Sequence, residues 1–225
     1  MDAHIALSLN MQAIVSHNEG DYQAAIRRYR SAVEQTLMSA ETKFQMSRRG
    51  SLAHSMSPQS QLSVEPCCPG FVQVVQHTGD SIVSGPFLVS TDGSASIFHV
   101  SDHDASVLSL ALLFNMALSF HLRSLESAKV RSLDLRRAMF LYKSAMKIVQ
   151  ECPRDFTNPS EALLVVAVGN NLCIILSDLY EHKKVKKIMD FTMHFWLFTT
   201  EGNTRFFPRN TISWGLAPTQ SAACA

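Results

Sequence analysis

The 225-residue sequence predicts an all-α protein, an α-solenoid of three antiparallel helix pairs carrying an inserted loop and a small β-hairpin. Three observations lead there. Apolar residues recur at steps of three and four in three separate regions, which is the signature of helices with one buried stripe. Cap and turn residues separate the stripes at short intervals, so neighbouring helices must pack antiparallel. Between the first and second pairs the chain changes character: from Ser51 to Leu122 it has no Lys or Arg, and β-rich runs replace the helical period.

The first pair covers about 3–46. Ile5 to His17 forms one helix, Asn18-Glu19-Gly20-Asp21 supplies a left-handed stop and a cap, and the second helix carries the stripe Tyr22, Ala25, Ile26, Tyr29, Ala32, Val33, Thr36, Leu37 and Ala40. The second pair covers about 101–151. Ser101-Asp102-His103-Asp104 opens a helix to about Leu125, and Ala138, Leu141, Tyr142, Ala145, Ile148 and Val149 line a partner stopped by Cys152-Pro153. The connection Arg123 to Asp134 exceeds that of the first pair, so this partner starts early or contains an irregular turn. The third pair covers about 158–200. Asn158-Pro159-Ser160-Glu161 gives a cap, a proline at the first helical position and a carboxylate at the third. Its first helix runs to about Tyr180 and its second from about Lys183 to Thr200, with Val185, Ile188, Met189, Thr192, Phe195 and Trp196 inward.

The insertion covers about 47–100. Ser51 to Pro69 reads as a loop; Phe71 to Gln76 and Ser81 to Ser90 read as strands around the turn His77-Thr78-Gly79-Asp80, with a short third strand at Ile97 to Val100. The tail, 201–225, is expected to be extended and docked through Phe206, Phe207 and Trp214.

With 46% apolar and 17% charged residues, the chain buries a core rather than staying disordered, and residues 1–225 are expected to form one domain. A net charge of +1 supplies no global field for nucleic acid or an anionic membrane. Five cysteines, an odd number without a C-x-x-C pair, indicate reduced thiols. Met1-Asp2-Ala3-His4 lacks the basic and apolar regions of a secretory signal. The longest apolar stretch, Ala162 to Leu176, is interrupted by Gly169, Asn170 and Asn171 and reads as too short for a bilayer. A cytoplasmic or nuclear protein with no membrane association is expected.

Asn10 to Val33 resembles a tetratricopeptide repeat. In that family a small residue of the first helix meets one of the second, places taken here by Ala13 and Ala25. Gly20-Asp21-Tyr22 resembles the turn, and Tyr29 and Ala32 match the aromatic and small positions. Asn115-Met116-Ala117 with Ala138, Tyr142 and Ala145 resembles a second repeat with a longer linker. Asn171-Leu172-Cys173 resembles a third, although Val185, Met189 and Thr192 replace its partner helix's small and aromatic residues. The resemblance covers roughly two thirds of the chain and implies a stack in which each repeat is stabilised by its neighbours. It further implies an interaction adaptor or assembly scaffold, holding a peptide or helix of another protein on a concave face formed by the first helices. The partner-binding residues it implies are Asn10, His17, Asn115, His121, Asn170 and Asn171, expected to be exposed. An asparagine amide suits the task because it can pair with both groups of a peptide backbone. Capping or bridging of helices explains the same residues equally well.

Other chemistries find less support. A chaperone C-terminal carboxylate clamp needs cations on first helices, and Ile5 to His17 and Ala162 to Tyr180 contain none. The basic residues sit on second helices, as Arg27, Arg28 and Arg30, then Arg136, Arg137, Lys143 and Lys147, then Lys183, Lys184, Lys186 and Lys187. They lie opposite the apolar stripes without interleaved aromatics, which favours a solvated face over an RNA-binding helical repeat. His99, Asp102, His103 and Asp104 raise an HD-type metal-dependent phosphohydrolase as an alternative, with His77 and Asp178 as further ligands; a helix cap explains the segment more simply. Adjacent Cys67 and Cys68 do not match zinc-ligand spacing. No phosphate loop or nucleophile elbow occurs. No catalytic residue, metal or cofactor is expected.

Overall fold

A computed structural model describes residues 3–48, 62–66, 71–73, 81–91, 102–126, 130–151 and 159–200. Six helices dominate it: α1 (Ala3–Asn18), α2 (Tyr22–Arg48), α3 (Asp102–Glu126), α4 (Arg131–Glu151), α5 (Pro159–Asp178) and α6 (His182–Thr200).

Their ends follow from local chemistry. Asp21 starts α2 by accepting the Ala24 N–H on Oδ1 at 2.9 Å, an N-cap bond that satisfies one of the orphan amides of the first turn. Gly20, at φ 80°, closes α1, with Gly20 N–H donating to His17 C=O and Asp21 N–H to Ser16 C=O. The same pair of bonds recurs between α5 and α6, from Tyr180 N–H to Ser177 C=O and from Glu181 N–H to Leu176 C=O. There the left-handed residue is Tyr180, at φ 56°, which carries a side-chain penalty that glycine avoids. Between α3 and α4, Arg123 donates from Nε and Nη2 to both oxygens of buried Asp134 at 2.7 and 2.8 Å, tying the last turn of α3 to the first of α4. The early start of α4 at Arg131 accounts for the long spacing in the sequence.

Within each pair the helices pack along one another, α1 on α2, α3 on α4 and α5 on α6, while α2 against α3 and α4 against α5 join the pairs. Ala13, Ala25, Ala32, Ala117, Ala138 and Ala145 are fully buried, as are Tyr29 and Tyr142. In the third pair Thr192 stands at the small position, and Gly169 on α5 makes the space: a Cβ there would lie 3.1 Å from Thr192 Cγ2 and 3.2 Å from its Cβ. The inner stripe expected on α2 fails at Leu37, which is 63% exposed. The reason is length, since α2 has 27 residues and α1 only 16, so the later turns of α2 outrun their partner.

Helices α3 and α5 are apolar around most of their circumference, as suits helices buried on several sides. On length and composition both could cross a membrane, which corrects the expectation that the α5 stretch is too short. In each, however, 78% of the apolar window is buried inside the protein.

Among the described residues the insertion contributes four strands, β1 (Leu62–Pro66), β2 (Phe71–Gln73), β3 (Ser81–Val83) and β4 (Phe87–Thr91). Of the expected hairpin, β2 pairs antiparallel with β3, with Phe71 opposite Val83, but the single strand expected from Ser81 to Ser90 is divided, β3 ending at Val83 and β4 starting at Phe87 with a different partner; the turn His77-Thr78-Gly79-Asp80 lies outside the described residues. Leu62–Pro66, expected to be loop, instead pairs antiparallel with β4 from Leu62 opposite Thr91 to Pro66 opposite Phe87. Leu62, Val64 and Pro66 alternate with Ser63 and Glu65, a short period-2 pattern that the surrounding Ser, Gln and Pro residues masked. Ile97 to Val100, Cys67, Cys68 and the tail residues Phe206, Phe207 and Trp214 lie outside the described residues.

Candidate functional site

Three asparagines from three alternate helices meet at one groove: Asn10 of α1, Asn115 of α3 and Asn171 of α5, each with 0% exposure. The groove is filled by the chain itself. Asn115 Oδ1 accepts the Phe87 N–H at 2.8 Å while its Nδ2 donates to the Phe87 C=O at 2.8 Å. Asn171 treats Val83 in the same way, accepting the N–H at 2.9 Å and donating to the C=O at 3.0 Å. Each amide thus satisfies both main-chain groups of one residue, and those residues fix which end of each amide faces the strand. Side-chain bonds join the asparagines of this ladder of clamps in two pairs, from Asn115 Nδ2 to Asn10 Oδ1 at 3.2 Å and from Asn170 Nδ2 to Asn171 Oδ1 at 3.1 Å. Asn171 Nδ2 also reaches Tyr142 Oη at 3.2 Å.

The segment between these rungs is deeply seated. Ile82, Phe87 and Val89 are at most 2% exposed, and Gly85 and Pro86 are buried between them. The Phe87 ring meets Phe114 edge to face at 5.3 Å, and Phe114 meets Tyr142 at 5.9 Å, so an aromatic wall receives the segment. Pro86 has no N–H, so it enters this dry site without a donor to satisfy.

Two histidines flank the ladder. His17 Nδ1 lies 2.8 Å from Ser119 Oγ, and the Ser119 hydroxyl donates to the Asn115 C=O at 3.0 Å. Burial lowers the His17 pKa to about 4, against the opposing effect of a hydrogen bond to the Ser84 main chain. His121 is 1% exposed, meets Tyr142 edge-on at 6.1 Å, and is likewise lowered to about 4 by burial. Burial raises the Tyr142 pKa, with its bond from Asn171 opposing the shift. All three rings are therefore neutral near neutral pH, and the groove holds its occupant through amides and apolar packing rather than charge.

Of the six residues expected to bind a partner, Asn10, His17, Asn115, His121 and Asn171 are buried, not exposed, and Asn170 is half-buried. The expectation of exposure fails at Asn115, Asn171 and His17 because residues 82–89 bond to them, while His121 is packed edge-on against Tyr142 of α4. Ser119 escaped the sequence reading, which took Tyr142 as a core position and Ser81 to Ser90 as a strand without placing either at the site. A signal was present: Ile82 to Val89 contains no charged residue, although it lies in an insertion outside the helical stripes.

Elsewhere, His103 Nε2 lies 3.8 Å from Glu161 Oε2, while Asp178, the acid nominated from sequence, is exposed at the far end of α5. Among the described residues no three His, Cys, Asp or Glu side chains converge to hold a metal; His77 and His99 lie outside those residues. Lys183, Lys184, Lys186 and Lys187 are exposed on α6, with Lys184 paired to Glu181. A separate open concavity of about 320 Å³, lined by Met116, Phe120, Phe140 and Leu141 with Arg30, Arg136 and Arg137, shares no residue with the ladder.

Comparison with protein-family models, with curated proteins and with solved structures finds no match to this chain, so its functional reading rests on the groove.

Proposed function

We propose that the protein is a tetratricopeptide-type α-solenoid serving as an interaction adaptor or assembly scaffold, with a concave face that receives extended polypeptide. One observation carries the reading: Asn115 and Asn171 each engage both the N–H and the C=O of a single residue in an extended segment. An asparagine that only capped or bridged helices would have no need of both main-chain groups of a strand residue. Recognition through main-chain bonds supplies affinity for any extended chain, and the aromatic wall supplies selectivity among them. The buried small residues of the first two pairs, Ala13 with Ala25 and Ala117 with Ala138, support the repeat assignment by permitting close helix approach.

The reading is tested by selecting displayed random peptides against the full chain and measuring the affinity of the selected sequences for Asn115→Ala and Asn171→Ala variants. In either variant a peptide seated in place of residues 82–89 loses two hydrogen bonds of about 1 kcal/mol each, a loss of affinity of up to about thirtyfold, less whatever the same change takes from the resident segment. Peptides bound equally well by folded variants occupy some other surface, and the receptor reading is then discarded.

A further inference from the structure

The groove already contains a segment with the properties of a ligand, and it does not fully satisfy the groove. Resting on the receptor reading above, we propose that residues 82–89 are a built-in pseudo-ligand. In this proposal a partner engages the groove by displacing them with an extended segment of the same pattern. That pattern is an aliphatic residue, a clamped residue next to it, a Gly-Pro step, a clamped aromatic and a second aliphatic two positions on. In this chain those places are Ile82, Val83, Gly85-Pro86, Phe87 and Val89.

The geometry separates what any peptide could satisfy from what selects one. The two clamped residues are four apart, Val83 on Asn171 and Phe87 on Asn115, and the clamps touch only main chain. Selectivity comes from the side chains between and beside them. Phe87 enters the Phe114 wall, and Ile82 and Val89 are sealed at 0% and 2% exposure. A charged residue at any of these three places would be buried without a counter-ion, so the partner segment is uncharged there.

The third rung shows why the resident can be displaced. Asn10 Oδ1 accepts from Asn115, but Asn10 Nδ2 is buried and has no acceptor among the described residues. A buried donor left unmade weakens the closed state. An incoming segment that offers a carbonyl to Asn10, as the resident does to Asn115 and Asn171, gains a contact that the described part of the resident lacks. The resident holds one advantage, because a tethered segment competes at an effective concentration in the ~mM range. Displacement would also return Ile82, Phe87 and Val89 to water. The groove is therefore closed at rest and opens only to a ligand that uses more of the ladder or is itself presented at high local concentration.

The test uses the full chain and a fluorescein-labelled synthetic peptide of residues 80–91, followed by fluorescence anisotropy. The wild-type chain, with its groove filled, binds the probe with a Kd near or above ~1 mM. Phe87→Ala in the chain weakens the resident but not the probe, and tightens probe binding at least tenfold. Val89→Ala, a smaller truncation, tightens it less and keeps the test valid should Phe87→Ala fail to fold by circular dichroism. A probe with Ala in the Phe87 place loses most of the gain on the Phe87→Ala chain, because resident and probe are then matched again. If folded Phe87→Ala or Val89→Ala chains bind the probe no better than wild type, the segment is a permanent part of the core and the displacement proposal falls. The receptor reading, tested on selected peptides, survives that result. A gain undiminished for the Ala-bearing probe places the probe outside the groove and overturns the displacement proposal.

Discussion

Replacing Asn115 by Ala asks the most of the structure, because its amide makes three bonds in a site with no access to water. Two of them, each at 2.8 Å, satisfy the N–H and C=O of Phe87, and the third reaches Asn10 Oδ1 at 3.2 Å. Truncation removes all three while Phe87 remains 1% exposed beneath its neighbours. A buried polar group stripped of its partner costs about 1–3 kcal/mol, so the two main-chain groups alone cost about 2–6 kcal/mol. The vacated amide volume can admit one water, which returns part of this and sets the expectation at about 3 kcal/mol. Urea denaturation of Asn115→Ala against wild type measures the total. Amide hydrogen exchange at Phe87 measures the local share and is expected to accelerate more than exchange at helical core positions such as Ala111. A loss below about 0.5 kcal/mol, with Phe87 exchange unchanged, would refute the claim that this amide holds the segment.

Acid should weaken the fold through the two buried histidines. His17 and His121 are held near pKa 4 in the folded chain against 6.5 when exposed, so the unfolded chain binds more protons between those values. Stability is then complete above pH 6.5, declines as pH falls, and stops declining through these groups below about 4. Each contributes about 2 kcal/mol of loss by about pH 5, measurable by urea midpoints across the range, and a flat profile would contradict the burial of both rings. Gly169→Ala is expected to destabilise by about 1 kcal/mol or more despite better helix propensity, since its methyl meets the Thr192 side chain. Thr192→Ala in the same chain should restore most of that loss in thermal melts, and strict additivity of the two changes would argue against the contact. Tyr180→Gly should stabilise by about 0.5–1 kcal/mol, because Tyr180 is 84% exposed and sits at φ 56°; a lower melting temperature would count against that backbone assignment.

The helical part was legible because its signals are local. Gly20 and Asp21 mark a turn by their own backbone and side-chain chemistry, and Pro159 marks a first helical residue, so those boundaries followed from short windows. The α5 to α6 turn gave no glycine to read; Tyr180 adopts the same left-handed conformation because the helix pair on either side requires it. Leu62–Pro66 was missed for a different reason. Its alternation of Leu62 and Val64 with Ser63 and Glu65 is a strand signal, but a run so short inside a Ser- and Pro-rich stretch reads as loop until its partner β4, more than twenty residues away, is known. The asparagines were singled out for the backbone of a partner, whereas the backbone that Asn115 and Asn171 hold belongs to the same chain. That pairing joins Asn115 to Phe87 across 28 positions and Asn171 to Val83 across 88, distances over which no sequence period operates. What the sequence did contain was an uncharged run in a segment without basic residues, and a segment of that kind folds onto something.

The occupied groove can be tested most directly by nuclear Overhauser contacts between the rings of Phe87 and Phe114 in the full chain, with the phenylalanines isotopically labelled. The ring centroids lie 5.3 Å apart, so cross-peaks between their protons are expected in dilute solution, together with contacts from the Asn171 side-chain amide to Val83. Phe87 resonances at unstructured shifts, with no contact to Phe114, would contradict the account.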